Sequence, residues 1–197
     1  LFGNSYVNNK KKNIKILPML LGDLNQCSMN LLSDFLKSDV YVVFGSSYIK
    51  GELVDFLVKQ KAINIHAGVS PYYRGSDCNF WALYDDNPHL VGSTIHLLSK
   101  GLDDGPILYH AMSNIKTNPF EYTMSTTKSA FHSLIEKIKN KSIFKIKETN
   151  QKKNKELRFS KNKEFNEEVV KKYFKKKINL DSCKFKNSLL KEPFFLN

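Results

Sequence analysis

Between Ser38 and His66 the chain spells out strand, helix and strand in about thirty residues, and few architectures accept that order at that spacing. The run "SDVYVVFG" (Ser38–Gly45) is β-branched and aromatic and ends on glycine, which predicts a strand buried on both faces. "GELVDFLVKQK" (Gly51–Lys61) then sets Leu53, Val54, Leu57 and Val58 at helical spacing. "AINIH" (Ala62–His66) reads as the next strand. A crossover through a helix leaves its two strands parallel and is nearly always right-handed.

The alternation continues on both sides of this unit. "IKILPML" (Ile14–Leu20) reads as another strand and "SMNLLSDFLKS" (Ser28–Ser38) as a helix with Ser28 at its N-cap. "GSDCNFWALYDDNP" (Gly75–Pro88) predicts a short helix bearing Phe80, Trp81 and Tyr84, stopped near Asn87-Pro88. "VGSTIHLLS" (Val91–Ser99) and "GPILYHAM" (Gly105–Met112) are two strands joined by "KGLDDG". Phe120–Lys141 is the longest helical pattern, with Met124, Phe131, Leu134, Ile135 and Ile138 on one side. A strand-like "ELRFS" and an amphipathic "EFNEEVVKKYFKKK" (Glu164–Lys177) follow. Alternating elements of this kind make an α/β chain. The expected organisation is a domain over residues 1–141 and a basic C-terminal extension over 142–197.

At 197 residues the chain is long enough for one domain with a real core and too short for two ordinary ones. Its net charge is +12, unevenly spread: Lys137–Lys177 holds 16 basic and 5 acidic side chains, and 16 minus 5 leaves +11. Such a surface invites nucleic acid. Only Arg74 and Arg158 are arginine, however, and phosphate recognition gains most from the guanidinium fork. A solvated lysine face is the competing reading. Cys27, Cys78 and Cys183 stand far apart, a spacing that suggests neither a zinc site nor a disulfide framework and fits a reducing, cytosolic setting. Apolar runs such as "ILPMLL" (Ile16–Leu21) are too short to span a bilayer, so no membrane is expected. "KKKNIKILPMLLG" (Lys10–Gly22) has the basic-then-apolar order of a leader, but no small-residue cleavage pattern follows. The chain opens on Leu1 rather than methionine and reads as a fragment.

In open parallel sheets, ligands collect outside the carboxyl ends of the strands. That rule puts "FGSSYI" (Phe44–Ile49), "NIHAGVSP" (Asn64–Pro71) and "KGLDDG" (Lys100–Gly105) on one rim. Asn64 and His66 are two residues apart in a strand and share a face, about 7 Å apart. An amide, an imidazole and a carboxylate, from Asn64, His66 and Asp103 or Asp104, converge there. Each has a plainer reading. Asn64 alone is a strand-end amide satisfying loop backbone, His66 alone a hydrogen-bonded structural histidine, and "LDDGP" alone a hairpin turn. His89, His96, His110 and His132 lack comparable company and read as structural or exposed. Asp85-Asp86 reads as surface. "GSSYIKGE" lacks the Gly-Lys-Ser/Thr end of a phosphate loop, and "HAGVSP" is not a nucleophile elbow.

Taken in order, "NIHAGVSPYYRG", an aromatic helix and "VGSTIHLLSKGLDDGPIL" resemble the formyltransferases that use 10-formyltetrahydrofolate. These include the glycinamide ribonucleotide and methionyl-tRNA formyltransferases and the N-formyltransferases of nucleotide-linked amino sugars. The resemblance is dense from about Ser38 to Met112. It implies a Rossmann-like, mostly parallel sheet flanked by helices. It places the family's catalytic asparagine and histidine on Asn64 and His66, and its aspartate on Asp103 rather than Asp104. It also assigns the pteridine to two loops, Ser47, Tyr48, Ile49 and Lys50, and Ser99, Lys100, Gly101 and Leu102. The chemistry agrees, because charge gathering on a formyl oxygen under attack by an amine needs fixed donors such as an Asn64 amide and a protonated His66. Asp103 would orient the imidazole and pass protons. Neither a metal nor a covalent nucleophile is required.

Family domains carry a first strand and helix ahead of the segment that starts here, so the resemblance implies roughly forty missing residues, about one such unit, upstream of Asn64. From "KSIFKIKE" onward the chain is too short for the barrel that methionyl-tRNA formyltransferases append. The expected acceptor is therefore a small amine, with a nucleotide-linked amino sugar favoured and the aromatic "NFWALY" as a wall. Methionyl-tRNA is the alternative, supported by the basic extension. Release of formate to water and a non-catalytic folate- or RNA-binding module remain as further readings.

Overall fold

The computed structural model describes residues 14–176, 178, 180 and 183–196. The start of the leader-like run, residues 10–13, and Lys177 of the basic helix lie outside the described residues.

Ser28 caps a single helical turn, α1 (Met29–Leu32), by accepting from Leu31 N at 3.3 Å. The turn stops short of Ser38 because only Leu32 is buried, while Leu31 and Phe35 face solvent. The crossover follows as β1 (Val42–Phe44), α2 (Gly51–Lys59) and β2 (Ile63–His66), with β1 parallel to β2 and Val43 opposite Asn64. Leu53, Val54 and Leu57 of α2 bury one stripe against Leu32, Ile49 and Ala62, each contributing roughly 1.5–3 kcal/mol. The next elements are β3 (Tyr73–Gly75), α3 (Cys78–Tyr84), β4 (Ser93–Leu97), β5 (Ile107–Ser113) and α4 (Pro119–Lys139). After them come β6 (Arg158–Ser160), α5 (Glu167–Lys175) and β7 (Phe194–Leu196).

The main sheet runs β1-β2-β4-β5-β7, parallel at β1/β2 and β5/β7 and antiparallel at β2/β4 and β4/β5. The chain is thus α/β and Rossmann-like, with parallel pairing at the sheet's two margins. Its centre is antiparallel, since β4 runs against β2 and then turns back through a hairpin into β5. Successive residues of β5 enter different clusters: Ala111 packs with Ala130 and Leu134 of α4, and Met112 with Tyr73, Trp81 and Leu90. The basic segment folds back onto the earlier elements, since β6 pairs parallel with β3 and β7 with β5.

Two further expectations change. Ile14–Leu20 forms no strand; Pro18 offers no N–H to a ladder, and Leu20 is 78% exposed. β1 is not buried on both faces. It is an edge strand among the described residues, so Val42 and Phe44 are each 44% exposed, and Phe44 meets the Phe131 ring edge-on at 4.9 Å.

Candidate active site

Because β4 runs antiparallel beside β2, Asn64 lies opposite His96 and His66 opposite Thr94. Opposite residues share a face, so two strands deliver four polar side chains to one patch. The hairpin then brings Asp103 over it: His66 Nδ1 is 3.3 Å from Asp103 Oδ2, and Asn64 Nδ2 donates to Asp103 Oδ1 at 3.3 Å. Asp104 turns away and accepts from the Ser99 hydroxyl. Of the two adjacent aspartates, only Asp103 joins the amide and the imidazole.

The hydrogen bonds assign the protons. His96 Nδ1 sits 2.8 Å from the Leu97 carbonyl and must donate to it, leaving Nε2 as acceptor for Asn64 Nδ2 at 2.9 Å. That contact fixes the Asn64 amide with its nitrogen toward His96 and Asp103. His66 Nε2 donates to the Tyr73 carbonyl at 3.0 Å. The Asp103 carboxylate facing Nδ1 favours a second proton there, on the side where the neutral ring presents its lone pair. Burial holds the His66 imidazole below the ordinary 6.5, while Asp103 pulls the other way and His96 and Arg74 add to the depression. Burial also works to raise the Asp103 carboxyl, but His66, His96 and the Gly75 amide outweigh it and keep it below 3.8. A carboxylate beside an imidazole that can be neutral or carry a second ring proton is suited to exchanging a single proton.

Two cavities meet at this patch. One of about 880 Å³ is lined by Asn64, His66, His96 and Asp103, by apolar side chains including Val54 and Leu98, and by both loops that flank it. From the loops, Ser47, Tyr48, Ile49, Ser99, Gly101 and Leu102 line it, whereas Lys50 and Lys100 do not. The Lys50 amide instead donates to Asn25 Oδ1 at 2.8 Å, and the Lys100 ammonium pairs with Asp55 at 2.5 Å. The Lys100 carbonyl accepts from the Tyr48 hydroxyl, tying the two loops together. The second cavity, about 830 Å³, shares His66, Ala67 and Gly75 with the first and extends among Phe80, Met124, Phe165 and Tyr173. From "NFWALY", Asn79, Phe80 and Leu83 line it. Trp81 is instead 3% exposed, with the Arg158 guanidinium 4.3 Å from its ring. Gly68 borders the patch, where an added Cβ would lie 2.6 Å from His66 Nε2.

His96 stands inside the site rather than apart from it. The spacing of one strand gives no signal for it; only the cross-strand register with Asn64 does. His110 is structural, donating from Nε2 to the Ser70 carbonyl at 2.9 Å. Asp85 is a structural anchor, bidentate to Arg158 at 2.7 and 2.8 Å. Among the described residues no group of three or more His, Cys, Asp or Glu side chains is disposed to hold a metal ion, and no helix is long and apolar enough to cross a membrane.

The sheet and its hairpin thus bring an amide, an imidazole and a carboxylate together beside an open cavity. Residues 28–139 match the formyl transferase family, and the chain belongs to it. The methionyl-tRNA formyltransferase of Thermosynechococcus vestitus is 33% identical over 94 residues, 48% of this chain and 28% of that protein. That of Thermotoga neapolitana is 33% identical over 120 residues, 56% of this chain and 37% of that protein. This chain therefore spans well under half the length of these curated relatives. Among solved structures, the formyltransferase PseJ from Anoxybacillus kamchatkensis, in complex with UDP-4,6-dideoxy-4-formamido-L-AltNAc and tetrahydrofolate, is similar at 26% identity and a TM-score of 0.56. That likeness covers 71% of this chain and 70% of PseJ.

Proposed function

We propose that this protein moves a formyl group from 10-formyltetrahydrofolate to a primary amine, with a nucleotide-linked amino sugar as acceptor. The observation that carries the reading is the junction of the two cavities at His66, beside Asn64 and Asp103. A donor in the first cavity and an acceptor in the second meet only there. The first cavity fits a pteridine: its floor is apolar, and polar edges come from Asn64, His96 and the loop backbones. The folate supplies an activated formyl group. The amine nitrogen bonds to the formyl carbon, the bond from that carbon to the folate nitrogen breaks, and the proton shed by the amine ends on that nitrogen. Asp103 is the base that receives the proton, and His66 and Asn64 donate to the formyl oxygen as charge gathers on it. In this structure Asn64 donates to His96 and Asp103, and the His66 nitrogens are engaged by the Tyr73 carbonyl and by Asp103, so one bond of each side chain gives way when substrate binds.

The amino-sugar reading draws on the likeness to PseJ, which covers 71% of this chain, and on a second cavity of about 830 Å³, within the ordinary range for a small-molecule site. Methionyl-tRNA is the second reading, favoured by the curated relatives and by the lysines of residues 137–177. Several of those lysines are already paired: Lys171 with Glu167 at 2.6 Å, Lys172 with Glu168 at 2.7 Å and Lys176 with Asp86 at 2.6 Å. Free thiols at Cys27, Cys78 and Cys183 support a cytosolic setting. The test is formyl transfer by the full-length protein to a panel of amino-sugar nucleotides and to methionyl-tRNA at two salt concentrations. Neutralising Lys171, Lys172 and Lys175, none of which lines the second cavity, should leave sugar formylation nearly unchanged. Efficient transfer to tRNA, lost with those lysines and steeply salt-dependent, alongside inactivity on the sugars, would overturn the acceptor.

A further inference from the structure

The turn that carries Asp103 is held by side chains from outside its own hairpin. Asp103 has φ of 48°, a left-handed conformation that residues other than glycine rarely keep without support. Its carbonyl accepts from Gln151 Nε2 at 2.8 Å and from Arg74 Nε at 3.3 Å. The same Gln151 amide donates to the Gly105 carbonyl at 2.8 Å, and Arg74 Nη2 donates to the Leu102 carbonyl at 2.6 Å. Two side chains therefore pin three carbonyls of the turn. Arg74 is itself braced: its Nη1 donates to Glu156 Oε2 at 2.9 Å, and its guanidinium lies 5.5 Å from the centre of the Phe159 ring.

Gln151 keeps this arrangement at a loss. Its Oε1 is buried without a hydrogen-bond partner, which costs about 1–3 kcal/mol. Turning the amide over would point that oxygen at the Asp103 and Gly105 carbonyls, which is worse. A buried acceptor left unpaired is retained where the other end of the same group is needed.

We propose that Gln151 and Glu156 are positioning residues for the transfer reaction: together with Arg74 they hold the Asp103 turn so that its carboxylate stays against His66 and Asn64. The segment after α4 then contributes to the reaction without touching the reacting atoms. This inference deepens the formyl-transfer reading and rests on it for its kinetic consequences, while the clamp is measurable without turnover.

Gln151→Met removes both donors at nearly constant volume, and Glu156→Gln removes the negative charge that braces Arg74 while keeping the side chain's shape. In the full-length protein each should lower kcat about 10- to 100-fold, since a small misplacement at a reacting group has effects of that size. KM for both substrates should stay within about threefold, and Glu156→Asp should restore part of the loss. The charged and titratable groups facing His66 are Asp103, His96 and Arg74. Displacing Asp103 removes the one that favours the imidazolium, so the His66 resonances should titrate at lower pH by NMR in both variants. Unchanged His66 titration and unchanged kcat in two folded variants would overturn the proposal. So would a loss of kcat that merely follows the fraction unfolded. If Gln151→Met does not fold, Glu156→Gln decides. If the wild-type protein transfers no formyl group, the transfer reading fails, and the His66 titration still accepts or rejects the clamp.

Discussion

At the scale of single residues, the site turns on which of two adjacent carboxylates faces the imidazole. Asp103 Oδ2 lies 3.3 Å from His66, and Asp104 is bound to Ser99. Asp103→Asn should therefore lower kcat by at least about a hundredfold, as loss of a general base does. Asp104→Asn should lower it severalfold at most, through the turn. Steady-state rates of the two variants in the full-length protein check this, and equal or reversed losses would place the reacting carboxylate on Asp104. Asn64 and His66 are legible in the sequence because a two-residue strand spacing already puts them side by side, whereas the spacing leaves Asp103 and Asp104 open and only the family resemblance selects Asp103. His96 is not, since its place depends on which residue of β4 stands opposite Asn64. Gln151 is more remote still. Nothing local marks a glutamine 48 residues after Asp103, 151 minus 103, as a hydrogen-bond donor to its carbonyl.

At the scale of elements, the crossover β1–α2–β2 was the strongest expectation, and it stands because its helix stripe and strand pattern agree. The long helix α4 stands too, beginning at Pro119 behind the Asn118 cap, whose side chain accepts from Phe120 N at 2.9 Å. Where a proline interrupts a strand pattern, as Pro18 does within Ile14–Leu20, no strand forms. The sequence shows "ELRFS" as strand-like without showing that it pairs with β3, since pairing between segments far apart in the chain leaves no periodicity. Gly75 is where that pairing is most exacting: it has φ of +89°, and an added Cβ would sit 2.0 Å from the Ser160 carbonyl oxygen. Gly75→Ala should separate β3 from β6 and destabilise the fold by about 1–3 kcal/mol, seen as a lower Tm. An unchanged Tm would mean that β3 and β6 contribute little.

At the scale of the whole molecule, buried histidines set the response to acid. His110 accepts from Lys191 N at 2.8 Å on Nδ1 and is 1% exposed, and burial drives its pKa from 6.5 down to about 4. The unfolded chain takes up this proton near 6.5 and the folded one only near 4, so between them the unfolded state binds more protons. Stability is therefore full above 6.5 and declines as pH falls through 4. The drop is about 3 kcal/mol in all, and His66 acts in the same direction. Urea midpoints at pH 7.5 and pH 5 should differ in this sense, and His110→Gln should narrow the gap. The order in which the chain folds follows from its longest-range pairings. β3 meets β6 across 85 residues, 158 minus 73, and β5 meets β7 across 83, 194 minus 111, so these contacts carry the largest loop-closure penalty. The crossover and the central hairpin form from near neighbours and come first. Phe159–Lys163, which rim the first cavity, come to rest only when β6 docks, so the binding site matures after the core. A ligand that fills the cavity then draws the last step to completion by mass action, and refolding followed by ligand binding should lag behind refolding followed by the burial of Tyr109 against Ala130 and Leu134 of α4.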